Sequence, residues 1–122
     1  MRFAGYAAVF GRVDRGGDVV RAGAFARSLG RRTAVPLLLE HRGFAVGRVE
    51  YLREDGRGLR VIARVADREA AALVKVGAGL SFGYRVRESR GEGPRELSDL
   101  ELIEVSLVER PMQPMARVHA VE

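Results

Sequence analysis

Cysteine is absent from the 122-residue chain, which excludes disulfides, thiol catalysis and cysteine-ligated zinc together. Histidine occurs twice, at His41 and His119, so acid–base chemistry near neutral pH has few candidate groups. No run of about 18 apolar residues exists, which excludes a transmembrane helix and leaves no membrane role expected. The start, Met1-Arg2-Phe3-Ala4-Gly5, carries no apolar signal segment, so secretion is not expected. No Gly-rich segment ends in Gly-Lys-Ser/Thr, which excludes a phosphate loop. Metal binding is poorly supported: no two histidines share a helical face, and Asp14 and Asp18 lack further hard ligands nearby. No metal or cofactor is therefore expected. Asparagine is absent, Gln113 is the one glutamine, Thr33 the one threonine and Lys75 the one lysine.

What is abundant is arginine. The basic residues total 21 against 16 carboxylates, giving a net charge of +5 and a pI near 10.6. Such a pI invites a nucleic-acid reading. The carboxylates, however, are interleaved with the arginines, and no stretch forms a basic tail. Aromatics for base stacking fall at core-facing positions. The arginine bias, with much Ala and Gly, reads first as codon usage, and nucleic-acid contact as non-specific at most. Apolar residues make up 47% of the chain, enough for a globular fold. Surface scaling gives a folded area of roughly 6,500 Å² against roughly 19,000 Å² extended, room for one core. A single domain over 1–122 is expected, with a core over 1–110 and a loop and tail over 111–122.

Hydropathy patterning predicts mostly strands. Met1–Phe10 reads as a buried strand, and Val13–Asp18, with Gly16-Gly17, as a turn. Ala22, Phe25, Ala26 and Leu29 form one helical stripe over 21–30, with Gly30 as its stop. Val35–Glu40 is a short strand. Gly47–Val65 is a hairpin turning at 54–58, and Asp67 caps a helix over 68–76 that ends at Gly77. Leu80–Glu88 alternates, with Leu80, Phe82, Tyr84 and Val86 on one side. Leu97–Val108 is a long apolar-rich strand or a bent strand pair. The predicted fold class is mainly β (α+β). A small closed antiparallel β-barrel of about six to seven strands, with two or more short peripheral helices, is its natural solution.

Three residues stand out chemically. His41 ends an apolar strand and opens into the loop Arg42-Gly43-Phe44, a good place for catalysis or for a mere surface histidine. His119 lies in the tail, where order is not expected. Ser81 sits inside an apolar strand in Gly79-Leu80-Ser81-Phe82-Gly83, where small neighbours would let a substrate backbone approach. Ser106 also lies in an apolar strand but lacks flanking glycines, and reads as a strand serine bonded to a neighbour. Glu104 interrupts Leu102-Ile103-Glu104-Val105-Ser106-Leu107-Val108 and needs a partner there, either an arginine or the His41 imidazole. Serine, histidine and carboxylate form the nucleophile–base–orienter set of a serine hydrolase.

The sequence resembles the prohead (capsid maturation) proteases of tailed bacteriophages, which are related to the herpesvirus assembly protease, assemblin. The resemblance rests on three blocks in order. They are Gly5–Phe10 through Gly17–Val20 to Gly23–Phe25, then Val35–His41 with Gly47-Arg48-Val49, then Gly79–Tyr84 followed by Leu102–Val108. It implies a herpesvirus-protease-like barrel, with Ser81 as nucleophile, His41 as general base and Glu104 as orienting third member, where assemblin uses a second histidine. It places the oxyanion or substrate contact in Glu109-Arg110-Pro111, making Arg110 a candidate. It implies a serine endopeptidase that cleaves scaffold protein, or a scaffold-like segment of the major capsid protein, and itself as well. That would occur inside the immature capsid (prohead) in the host cytoplasm, in a phage or a phage-derived element such as a gene transfer agent. A homodimer is a candidate assembly. Two alternatives stand beside this reading: a catalytically inactive barrel serving as a structural capsid-assembly component, and an Arg-rich nucleic-acid-binding barrel.

Overall fold

The computed structural model describes residues 1–31 and 34–122. Eight strands and two short helices follow the order β1 (Arg2–Val9), β2 (Asp18–Val20), α1 (Ala26–Arg31), β3 (Pro36–Leu39), β4 (Arg42–Glu54), β5 (Gly58–Val65), α2 (Arg68–Leu73), β6 (Gly79–Arg90), β7 (Arg95–Val108) and β8 (Val118–Val121). The strands form one sheet ordered β2-β7-β3-β4-β5-β1-β8, with β6 on the other side of β7. Most pairs are antiparallel, but β2 and β3 both run parallel to β7. The expected all-antiparallel arrangement is corrected in those two places.

Alternation in the sequence becomes burial. In β1, Phe3, Gly5 and Ala7 face inward, and Tyr6 faces outward to donate its hydroxyl to Asp55 at 2.5 Å. Phe3, Phe25, Leu37, Leu59, Val61, Leu80, Leu97, Leu100 and Val105 are fully buried in one core cluster. At roughly 1.5–3 kcal/mol for each large side chain, this burial outweighs any single polar contact. The helices are shorter than their stripes suggest. Gly23 takes φ +91°, so the chain turns before Phe25 and α1 starts only at Ala26. Glu54 satisfies that turn by accepting the Gly23 and Phe25 N–H groups at 2.7 and 2.8 Å. The α1 helix runs through Gly30 to Arg31 instead of stopping there. Asp67 caps α2 as expected, accepting the Ala70 N–H at 2.9 Å.

The sheet does not close into a barrel, and the tail is not loose. The two ends of the sheet meet briefly, where Leu80 N–H donates to Ala116 O at 2.9 Å and Val118 N–H to Ala78 O at 2.8 Å. One isolated bridge joins Gly79 and Arg117. Beyond it, β6 pairs only with β7. The segment 109–116 takes the place of the missing ladder. Pro111 is buried against Gly79, and the Gln113 amide bonds both Val9 N–H (2.6 Å) and Val9 C=O (3.2 Å). One side chain thereby does for the end of β1 what a neighbouring strand would do. The tail then forms β8 on β1, with Val118 buried and His119 stacked on Tyr6 at 5.8 Å between ring centroids. The lack of order expected of the last residues, His119 among them, is corrected by this pairing, which makes them a strand.

Candidate active site

The unpaired stretch of β6 opens a cleft of about 190 Å³, lined by Ala7, Asp14, His41, Leu80, Ser81, Phe82, Tyr84, Met112 and Gln113. It lies on the seam where β1 and β6 fail to pair. Ser81 and Ser106 are direct partners across β6 and β7, and Gly83 is the partner of Glu104. These four residues share one face, since side chains two apart on a strand point the same way. Among the described residues Ser81 has no hydrogen-bond partner, and no fully buried side-chain oxygen or nitrogen lacks one. Its hydroxyl therefore keeps some exposure, although the residue as a whole is only 8% exposed, and Ser81 lines the cleft.

His41 reaches the same face from the β3–β4 connection. Leu39 pairs with Arg42, so Glu40 and His41 form a two-residue hairpin loop, with φ +50° and +63°. Positive φ at both central positions is the pattern of a type I′ turn, which favours Asn-Gly and not Glu-His. The left-handed region costs a non-glycine residue roughly 1–2 kcal/mol. The bonds that hold the turn all run to β7 and the residue after it. Glu40 N–H donates to Leu107 O at 3.0 Å, and the Glu40 carboxylate accepts Glu109 N–H at 2.7 Å. His41 N–H donates to Ser106 Oγ at 3.0 Å.

The His41 ring meets Glu104. Nδ1 lies 2.7 Å from Glu104 Oε2, with Glu104 only 9% exposed at its side chain and His41 41%. A carboxylate can only accept, so Nδ1 carries a proton, and in the neutral ring the lone pair is then on Nε2. Of the two partners open to Glu104 in the sequence, the imidazole is the one it takes. The other Glu104 oxygen accepts the Ser106 hydroxyl at 2.8 Å. Gly83 makes this possible. A Cβ there would run into the Glu104 carboxylate, with Cδ at 2.8 Å. Gly79 likewise makes way for Pro111. The glycines around Ser81 thus make room for the protein's own groups.

The structure brings Ser81, His41 and Glu104 to one place. No hydrogen bond joins Ser81 to His41, although both line the cleft. Arg110 is not brought in; it is exposed and outside the lining, while its neighbours Met112 and Gln113 form part of the wall. The remaining wall is aromatic and acidic. Phe82 and Tyr84 stack at 4.7 Å, and burial, followed by the Asp18 and Asp14 carboxylates, holds the Tyr84 phenol above its ordinary value. The lining residues Asp14, Tyr84, Met112 and Gln113 went unassigned in the sequence, because only tertiary contact joins their segments. A larger groove beside α1, about 380 Å³, holds no histidine, and its serine, Ser28, already accepts Leu102 N–H.

A strand serine that lines one cleft with a carboxylate-bound imidazole matches the residue types of the serine hydrolases. Residues 1–122 match the family model of the caudovirus prohead serine proteases, and the chain belongs to that family. It is 34% identical over 94 residues to the prohead protease of Enterobacteria phage HK97, covering 69% of this chain. The chain spans 42% of the length of that relative. Among solved structures it resembles the KSHV protease in complex with a hexapeptide phosphonate inhibitor, with a TM-score of 0.68 at 14% identity, over 96% of this chain and 63% of that one. That likeness supports the herpesvirus-protease-like fold.

Proposed function

We propose that the protein is a serine endopeptidase of phage-type capsid maturation, cleaving scaffold protein or a scaffold-like segment of the major capsid protein inside the immature capsid. The observation that carries this reading is the His41–Glu104 bond of 2.7 Å at the cleft that Ser81 also lines, in a chain of this family. Ser81 Oγ attacks the scissile carbonyl and gives its proton to His41 Nε2. Glu104 steadies the imidazolium through Nδ1. His41 returns the proton to the leaving amine, which departs as the acyl-enzyme forms. Water, activated by the same imidazole, then releases the second product and restores Ser81.

The oxyanion needs N–H donors. In the segment 109–113, Glu109 N–H is committed to Glu40 and Pro111 has none. That leaves the N–H groups of Arg110, Met112 and Gln113 as candidates, with the Arg110 side chain at the rim.

The missing direct Ser81–His41 bond favours a second reading, an inactive shell component. Catalytic hydrogen bonds are often long before substrate binds, so chemistry decides between the two. A fluorophosphonate probe is expected to label the wild-type protein on Ser81, and Ser81→Ala is expected to lose both labelling and cleavage of a co-expressed capsid or scaffold protein. Persisting cleavage by Ser81→Ala would refute the assignment. A wild type that neither labels nor cleaves would favour the shell component.

A further inference from the structure

Ser106 is fully buried, and its hydroxyl is used twice. It accepts the backbone N–H of His41 at 3.0 Å and donates to Glu104 Oε1 at 2.8 Å. A serine hydroxyl has one proton to give, and here that proton goes to the carboxylate that holds the His41 ring. The four groups close a ring: His41 backbone to Ser106 hydroxyl, Ser106 to Glu104, and Glu104 back to the His41 imidazole at 2.7 Å.

We propose that Ser106 is a positioning residue for catalysis, resting on the proposed peptidase reading, and that it sets the His41 imidazole by fixing both ends of that residue. The backbone end needs fixing because His41 sits at φ +63° in a turn whose residue types do not favour it. The ring end needs fixing because a carboxylate with one free oxygen can rotate about its last torsion, which is broad and soft. Ser106 occupies Oε1 and so turns Oε2 toward Nδ1. The strand supplies the rigidity. Ser106 is paired on one side with Leu38 of β3 and on the other with Ser81 of β6. The residue that orients the base is therefore tied by backbone pairing to the residue that carries the nucleophile. This gives Ser106 a use beyond that of a strand serine satisfied by a neighbour, without its touching substrate.

The test compares wild type, Ser106→Ala and Ser106→Thr in cleavage of a capsid-derived peptide and in fluorophosphonate labelling. Ser106→Ala is expected to lower kcat and the labelling rate about 10- to 100-fold, with KM within about threefold, as for a misplaced base. Ser106→Thr, which keeps the hydroxyl, is expected to recover most of both. Equal labelling rates in wild type and Ser106→Ala would overturn the proposal, as would a Thr variant as slow as the Ala variant while folded. A wild type that is not labelled would instead refute the peptidase reading itself. Should the Ala variant not fold, hydrogen exchange on the wild type still decides. The His41 amide is expected to be protected, and exchange as fast as in the exposed residues of the same hairpin would overturn the inference.

Discussion

Gly83 is the position where one added carbon should cost most. Its partner across β7 is Glu104, whose carboxylate fills the space a side chain would take. In Gly83→Ala the methyl group has to push that carboxylate away from His41 Nδ1. Overpacking in a rigid strand pair costs about 1–3 kcal/mol, and the displaced base should cost about 100-fold in kcat. Thermal denaturation and peptide kinetics would check the two effects separately, and an unchanged kcat would show that the carboxylate can move without loss. At the same scale, the choice of His41 over His119 is explained by partners. His41 has a buried carboxylate on its ring, whereas His119 has the outward face of Tyr6. The scarcity of histidine left the sequence only two candidates for the proposed base. That Gly83 faces the Glu104 carboxylate and Gly79 faces Pro111 was not readable, because a sequence does not say what fills the space beside a residue without a side chain.

At the level of elements, the site exists because two of them fail to pair. The strands β1 and β6 face each other across the cleft, and the segment 109–116 is fastened between them by Pro111 and Gln113. Gln113→Ala removes both bonds to Val9, leaving a buried N–H and C=O at the end of β1 without partners. Each such loss costs about 1–3 kcal/mol. With two groups affected, the variant should be less stable by about 2–6 kcal/mol, and its amides over 112–116 should exchange faster. If exchange over this segment does not change, the amide is not the fastener. The strands themselves were readable from alternation. The closing contacts were not, since they join residues more than 100 positions apart, such as Val9 and Gln113. Helix α1 shows the converse. Its stripe of Ala22, Phe25, Ala26 and Leu29 has the right period, but the left-handed backbone at Gly23 delays the start of the helix to Ala26.

For the whole molecule, seven of the 20 arginines form ion pairs among the described residues. Arg95 grips Asp18 through two nitrogens, Arg64 and Arg48 share Glu50, and Arg2 bridges to Glu122. Such exposed pairs contribute little each and are weakened by salt. The outer face of β1 holds a more pH-sensitive pair. The Tyr6 hydroxyl bond keeps the Asp55 carboxyl below its usual range, and the same bond keeps the Tyr6 phenol above its own. The pair's contribution is therefore complete between the ordinary Asp and Tyr values, about 4 and about 10. It is lost as pH falls through the lowered Asp55 value, and again as pH rises through the raised Tyr6 value. Tyr6→Phe should flatten both limbs of a stability–pH curve while leaving peptide cleavage intact; identical limbs in variant and wild type would show that the pair carries no linkage. The sequence by itself determined the residue types of the site, the strands and the family, because these depend on local period and on a few rare side chains. Tertiary structure alone decided that the sheet stays open, that the tail is its last strand, and that Ser106 bonds both the His41 backbone and Glu104. Those outcomes depend on register and on contacts between distant segments, which no local pattern encodes.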